Sequence, residues 1–434
     1  MQLALIGFLM LITIIFLLFK GKVTPMVVFI TVPTIAAFLA GFNIEEVVSF
    51  IESGIGTVSN MAILFIFSVT FFGVLADTGM FDAVVNRLVK KSQDHIVLVA
   101  VVTAIVAVFS HLDGATVTTV LITVPALLPL YQKLNIRPQL LILITACGMG
   151  VMNLLPWGGP VARAAAVLGM EANDLWKLLI PIQILGVFMT IGLAVIMILR
   201  EKKHYQAQNE VLVVNDSTEE QMETLENPLH RPKLIWFNFL LTLVVLLVLL
   251  WDKFPAYFVF MWGCALALMI NYPNVKDQKE RIKAHAAAAL DVSAVMLAAG
   301  IMVGILGQSG MLEAMAIPLL KIIPPFLAKH LHLIMGVLGF PLGTMLGTDS
   351  YFYGLMPLAI EIGENYSISP LAMGTAMLIT KNLSLLISPM VPATYLATAL
   401  AGVELKEHIR YSFIPLWIVG ILMLVFSLLI GLVA

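Results

Sequence analysis

Charge is what this sequence lacks most. Asp, Glu, Lys and Arg make up 12% of its 434 residues, against about 25% in a soluble domain. Hydrophobic residues make up 60% and the mean hydropathy is +1.01. That balance excludes an ordinary soluble globule and leaves a polytopic, all-α membrane protein in a lipid bilayer. Basic clusters are missing and the formal net charge is −2, so no surface is suited to nucleic acid. Cysteine is scarce. Cys147 and Cys264 both sit in apolar runs, which excludes a disulfide framework. The first apolar run, Leu3 to Phe19, has no basic residue before it and no small-residue cleavage site after it. It reads as a retained transmembrane helix rather than a signal peptide.

What is there is a pattern that occurs twice. Apolar runs that span or nearly span a bilayer begin at 3, 24, 60, 96, 117, 139 and 178, and again at 234, 255, 292, 331, 351, 370 and 412. The polar stretch 200–233 between the series reads as a cytoplasmic linker, so the chain divides into repeats over 1–199 and 234–434. GVLADTGMFD from Gly73 matches GILGQSGMLE from Gly304, an offset of 231 that also places Lys90 on Lys321. Pro125 pairs with Pro357 and Pro138 with Pro370 at an offset of 232, and Pro160 with Pro392. Identical spacing of so many turn-formers marks two homologous halves.

Charge orients them. If 96–131 is a re-entrant hairpin and 138–168 a crossing broken midway, each half crosses an odd number of times and the halves lie inverted. With the amino terminus outside, eighteen of the 24 Lys and Arg fall on the cytoplasmic side and four (Lys177, Lys253, Lys321, Lys329) outside. Arg163 and Lys381 are left within the membrane. This is a strong positive-inside bias.

Four polar interruptions carry the chemistry. They are SHLDGATVTT (110–119), NLLPWGGPVAR (153–163), LGTDSYFYG (346–354) and KNLSLLISPMVPAT (381–394). Proline removes a backbone donor and glycine loosens a helix, so Pro156, Gly158, Gly159 and Pro160 should break theirs. Broken backbone at membrane depth persists only when buried in protein or lining a cavity. Paired broken elements in inverted repeats point to a transporter site at the repeat interface. The half-helix amino termini suit carboxylates, and the freed carbonyls and hydroxyls suit a cation.

The candidate substrate ligands are Thr116, Thr118, Asn153, Gly158, Gly159, Arg163, Thr348, Ser350, Lys381, Asn382, Ser388 and Thr394. Asp113 and Asp349 are candidates for cation or proton coupling and for a divalent metal, with helix capping as their bland alternative. His111 is a candidate proton relay. Glu45, Glu46 and Glu52 read as a solvated face. An intramembrane aspartyl protease would need Asp113 and Asp349 in a Gly-Asp type setting that neither has, and no ring of carbonyls or charges suggests a channel.

At MNLLPWGGPVARA, INYPNVKDQKERIKAHA, LGTDSYFYGLMP and ISPMVPATYLATALAGVELKEHIRYSF the chain closely resembles the bacterial metal-citrate:proton symporters, the citrate-Mg²⁺ and citrate-Ca²⁺ carriers of the ion transporter superfamily. The resemblance spans essentially the whole chain. It implies a carrier in the bacterial cytoplasmic membrane for citrate or a similar carboxylate. It also implies coupling to protons, a co-transported Mg²⁺ or Ca²⁺ rather than a tightly bound cofactor, a homodimeric scaffold and an elevator-type transport domain. The sequence departs from the family pattern at three places. Ala115 and Gly347 stand where acids are expected, and Lys381 stands where an uncharged polar residue is expected. Lys381 is therefore a candidate replacement for the metal in a metal-independent di- or tricarboxylate:cation symporter.

Overall fold

The computed structural model describes residues 2–92, 95–208 and 227–433, and every regular element among them is helical. The first half contains α1 (Gln2–Lys20), α2 (Pro25–Leu39), α3 (Ile44–Asp77), α4 (Met80–Ser92), α5 (Ile96–Ser110), α6 (Thr116–Lys133), α7 (Pro138–Met152), α8 (Gly159–Leu168) and α9 (Ala172–Gln208). The second contains α10 (Ile235–Trp251), α11 (Ala256–Asn271), α12 (Val275–Gln308), α13 (Met311–Leu320), a single turn α14 (Pro325–Ala328), α15 (Leu331–Met345), α16 (Met356–Glu364), α17 (Pro370–Asn382), α18 (Pro392–Ala401) and α19 (Leu405–Leu429). Apart from α14 the two orders match. α3 and α12 are each 34 residues long, and α8 and α18 are each 10. Among the described residues, six helices are long and apolar enough to cross a membrane. Of the linker, α9 occupies the part up to Gln208, and residues 209–226 lie outside the described residues.

α3 begins well before the apolar run at 60, because Asn43 and Glu46 form a capping box. Asn43 Oδ1 accepts the Glu46 N–H at 2.9 Å, and Glu46 Oε2 accepts the Asn43 N–H at 2.8 Å. Glu45, Glu46 and Glu52 are exposed, as expected for a solvated face.

The most extensive helix pairing is α3 with α12. Gln308 donates to Ser53, Ser293 to the Ala62 carbonyl, and His285 and Arg281 meet Asp77 at 2.8 and 3.1 Å. Residue numbers rise along one helix as they fall along the other, so the two run antiparallel. Close approach is made possible by glycine: a methyl group on Gly300 would lie 2.8 Å from the Gly54 carbonyl oxygen and 2.6 Å from Val58 Cγ2. Gly300→Val is expected to destabilise the purified protein by about 1–3 kcal/mol, the usual cost of overpacking, read as a lower thermal-unfolding midpoint in detergent. An unchanged midpoint would show that this crossing is not tight.

A buried polar knot ties the second half to the end of α3. Asn238 and Asn271 exchange amide hydrogen bonds at 3.0 and 2.8 Å, and Asn238 also donates to Thr78 Oγ1 at 3.1 Å. In an apolar setting such a fully paired amide couple fixes one arrangement of neighbours. Just past the end of α10, Asp252 is bonded by Lys177 from the start of α9, which also bonds Asp174, and the ammonium holds the Asp252 carboxyl below the usual carboxylate range.

Candidate functional site

All four interruptions are breaks in the helices, and they converge. α5 stops at Ser110, and a tight turn over His111–Asp113 leads to Gly114, whose φ of 69° is the left-handed conformation that glycine adopts without a Cβ penalty. Asp113 Oδ1 accepts the Ala115 N–H at 2.8 Å, closing the turn before α6, and its carboxylate is also hydrogen-bonded by Thr118. Asp113 thus closes a turn ahead of α6 rather than capping it, since the N-cap is Ala115 and has no side-chain cap bond, and the same residue faces the cavity described below.

The second tip differs. α15 ends at Met345, and a π-helical stretch, Ser350–Leu355, leads into α16. Single π turns are rare and concentrate at functional sites.

In the first half α7 ends at Met152 and α8 starts at Gly159, with Pro160 in its first turn. In the second, α17 ends at Asn382 and α18 starts at Pro392. Trp157 anchors the first break: its indole N–H donates to the Leu112 carbonyl at 2.7 Å, and its ring packs 5.3 Å from Phe72 and 5.0 Å from Phe260. Hairpin tip and broken helix are thereby locked together.

A cavity of about 760 Å³ lies where these elements meet. Its wall takes Asp113 to Thr116 from the first tip, Asn153, Trp157, Gly159, Pro160 and Arg163 from the first break, Leu346 to Ser350 from the second tip, and Met390 to Pro392 from the second break. α3 and α12 supply an apolar side through Phe65, Val69, Ala288 and Val292, and the loop from Gly21 to Pro25 completes it with Lys22. Three helices, α6, α8 and α18, begin at this wall, so their unbonded first-turn N–H groups and positive dipole ends are available to an anion.

Arg163 is the principal cation on the wall. Its Nε donates to Asp349 Oδ1 at 2.7 Å, joining the first break to the second tip, and its Nη1 donates to the Gly159 carbonyl at 3.0 Å. Its side chain is 14% exposed and that of Asp349 18%, so the pair borders the cavity. A charge-assisted bond to a carboxylate contributes about 1.5–3 kcal/mol, whereas one helix end contributes roughly 0.3–1 kcal/mol. Of the groups on this wall, Arg163 therefore offers a carboxylate the strongest single bond.

Of the sequence candidates, Asp113, Thr116, Asn153, Gly159, Arg163, Thr348, Asp349 and Ser350 share this wall. The others stand behind it. His111 is fully buried, with Nδ1 2.6 Å from Thr119 Oγ1 and Nε2 3.1 Å from Asn153 Oδ1. Lys381 is buried behind the second tip, its Nζ donating to Thr348 Oγ1 at 3.0 Å. Ser388 donates to the Thr344 carbonyl at 2.8 Å and Thr394 to the Ser388 carbonyl at 2.9 Å, bracing the second break. Gly158 caps α8, Thr118 serves Asp113, and Asn382 is buried without a side-chain hydrogen bond among the described residues. Ala115 and Gly347, the two positions where the resemblance leads one to expect acids, are both on the wall. Sequence reasoning did not single out Trp157 as an anchor or Lys22 as a wall residue. An indole amid prolines and glycines was the available signal for the first, and nothing local marks the second.

The sequence pattern of the citrate transporter family, CitMHS, matches residues 4–380. The chain belongs to the CitMHS citrate transporter family. It is a transporter rather than an enzyme, and a multi-pass protein of the bacterial cell membrane. This CitMHS member is 35% identical over 435 residues, covering 100% of both chains, to a Bacillus subtilis (strain 168) protein named Citrate transporter. It is 33% identical over 430 residues, 99% of both chains, to the Mg(2+)/citrate complex secondary transporter of the same organism. Its fold is similar to that of the Alcanivorax borkumensis YdaH transporter, whose crystal structure is described as having an unusual topology. The TM-score is 0.63 over 87% of this chain and 88% of that one, at 16% identity, which speaks for the fold alone.

Proposed function

We propose that this protein is a secondary active symporter that takes up citrate, as a divalent-metal complex or a related carboxylate, together with protons. The observation that carries the reading is the convergence of both hairpin tips and both helix breaks on one cavity holding Arg163. Citrate is a polycarboxylate, and the cavity offers it a guanidinium, three helix amino termini and the hydroxyls of Thr116, Thr348 and Ser350.

The proposed frame is a pair of inverted repeats, 1–199 and 234–434, joined by a cytoplasmic linker over 200–233. The antiparallel pairing of α3 with its counterpart α12 and the matching element order support it. A site at the interface of such repeats is what alternating access by an elevator-type movement requires, and a homodimeric scaffold comes with the superfamily resemblance. Lys22, on the side that the charge bias assigns to the cytoplasm, lies on the cavity wall, which fits a site open inward.

A co-transported Mg²⁺ or Ca²⁺ would reach Asp113 and Asp349. Among the described residues no group of three His, Cys, Asp or Glu side chains is gathered to hold a metal. The ion would arrive with citrate's own oxygens completing its shell, since such cations take six or more oxygen ligands. The second reading is a metal-independent di- or tricarboxylate symporter in which Lys381 stands in for the ion. It is favoured by Ala115 and Gly347 on the wall and by the engagement of Asp349 with Arg163.

Uptake of labelled citrate into proteoliposomes decides between them. With an acid-outside pH gradient, uptake should be saturable and concentrative. Dependence on added Mg²⁺ or Ca²⁺ supports the complex, and persistence in chelator supports the Lys381 reading. No gradient-driven uptake under any of these conditions would overturn the proposal.

A further inference from the structure

Lys381 is 1% exposed, yet its stem has a prepared path. From the last turn of α17 it passes Gly343 of α15, where a methyl group on the glycine would lie 2.7 Å from Lys381 Cγ. Nζ then donates to Thr348 Oγ1 at 3.0 Å and lies 5.6 Å from the centroid of the Phe352 ring. Among the described residues no carboxylate is in ion-pair contact with this nitrogen, and the acid on the same tip, Asp349, is engaged by Arg163.

Other charged or titratable groups on elements packed against α17 do not neutralise it. They are Arg163 on α8, Tyr351 and Tyr353 in the π stretch, Glu361 and Glu364 on α16, His332 on α15, and on α19 His408 and Tyr411 with the exposed Lys406, Glu407 and Arg410. Tyr351 donates to the Met377 carbonyl, Tyr353 to Met296 Sδ and Tyr411 to Glu201, while His408 bonds the Leu386 carbonyl and Ser412. What lies beyond Thr348 is the cavity.

We propose that Lys381 is the group that binds the coupling proton, and that proton and substrate favour each other through it. This rests on the citrate:proton reading above. A buried ammonium is stabilised by an opposite charge nearby. Its partners among the described residues are one hydroxyl and an aromatic face. A polycarboxylate in the cavity supplies the missing negative charge across Thr348, through a medium that screens poorly. By linkage, protonation of the amine strengthens anion binding by the same factor by which the anion strengthens proton binding. One proton from water forms an N–H bond at Nζ as substrate loads on one side. The same proton returns to water, leaving the amine, after the anion departs on the other. Half-helix carboxyl ends in transporters hold coupling cations, and here the carboxyl end of α17 carries its own tethered, protonatable one.

The sign of the pH dependence follows. Bound anion raises the amine's proton affinity, so tight binding is present at low pH and is lost as pH rises through the amine's titration, approaching about tenfold per pH unit. Calorimetric titration of the purified full-length protein with citrate, with and without Mg²⁺, in buffers of different ionisation enthalpy reads protons taken up per citrate bound. At pH values where citrate is fully ionised, the native protein should take up about one. Arginine keeps its charge throughout this range, so Lys381→Arg should take up none and bind with a flat pH profile. Lys381→Gln should likewise take up none, with weaker binding, and it serves as the test should the arginine variant not fold. Native proton uptake in either variant overturns the assignment. Absence of citrate binding and exchange by the native protein would instead overturn the parent reading.

Discussion

Replacing Arg163 with lysine is expected to raise the KM for citrate about 10- to 150-fold while the protein remains in the membrane. The number of donors decides this. A guanidinium has five N–H groups in a planar fork, of which one at Nε is committed to Asp349 and one at Nη1 to the Gly159 carbonyl. Three N–H groups remain for a substrate carboxylate, enough for a bidentate grip. An ammonium has three in all, and keeping both intramolecular partners would leave it one. Losing a charge-assisted bond of about 1.5–3 kcal/mol corresponds to roughly 10- to 150-fold in affinity. Transport kinetics in proteoliposomes, normalised to protein incorporated, would measure the change. A KM equal to that of the native protein would remove Arg163 from the substrate. Arg163→Ala is the harsher variant, because it strands Asp349. The partial exposure of both side chains moderates that penalty below the about 3–5 kcal/mol of a fully buried pair.

How far the sequence led can be read from these residues. The break at Asn153 to Gly158 and the one after Asn382 were legible, because proline and glycine in an apolar run have few other uses. So was the matching order of the halves, since turn-formers at fixed offsets survive where apolar residues interchange freely. The ends of α3 and α12 were less legible. Their polar first turns, held by the Asn43 and Asn274 caps, look like loop when hydropathy alone is read. Side-chain pairing was the least legible. Of the two cations left within the membrane, only Arg163 meets an acid, and Lys381 turns to Thr348. That difference depends on Gly343 opening a path past α15 and on how the tip of the second hairpin is wound. Both are packing outcomes between segments distant in sequence. The cavity wall follows the same rule: Lys22 reaches it through the loop after α1, far in sequence from both hairpin tips.

Asp113→Asn and Asp349→Asn are expected to abolish concentrative citrate uptake while leaving substrate exchange measurable. The asparagine substitution suits the question because it separates charge from shape. At position 113 an amide oxygen still accepts the Ala115 N–H that Asp113 Oδ1 receives at 2.8 Å, so the turn into α6 is kept and only the negative charge is lost. Asp113→Ala would also lose that acceptor, at a further cost of about 1 kcal/mol in stability. A purely structural turn closure therefore predicts that the asparagine variant behaves like the native protein and the alanine variant does not. A coupling role predicts that both fail to accumulate substrate. At position 349 the asparagine leaves Arg163 with a neutral partner in place of the carboxylate at 2.7 Å. A guanidinium freed from its counter-charge should hold citrate at least as tightly as before, so exchange persists, while the step that resets the empty carrier loses its charge balance. Counterflow and gradient-driven uptake, compared in the same proteoliposomes, separate these outcomes. Accumulation against a gradient by both asparagine variants would make Asp113 a turn closure and Asp349 a latch on Arg163, with Lys381 carrying the coupling without them.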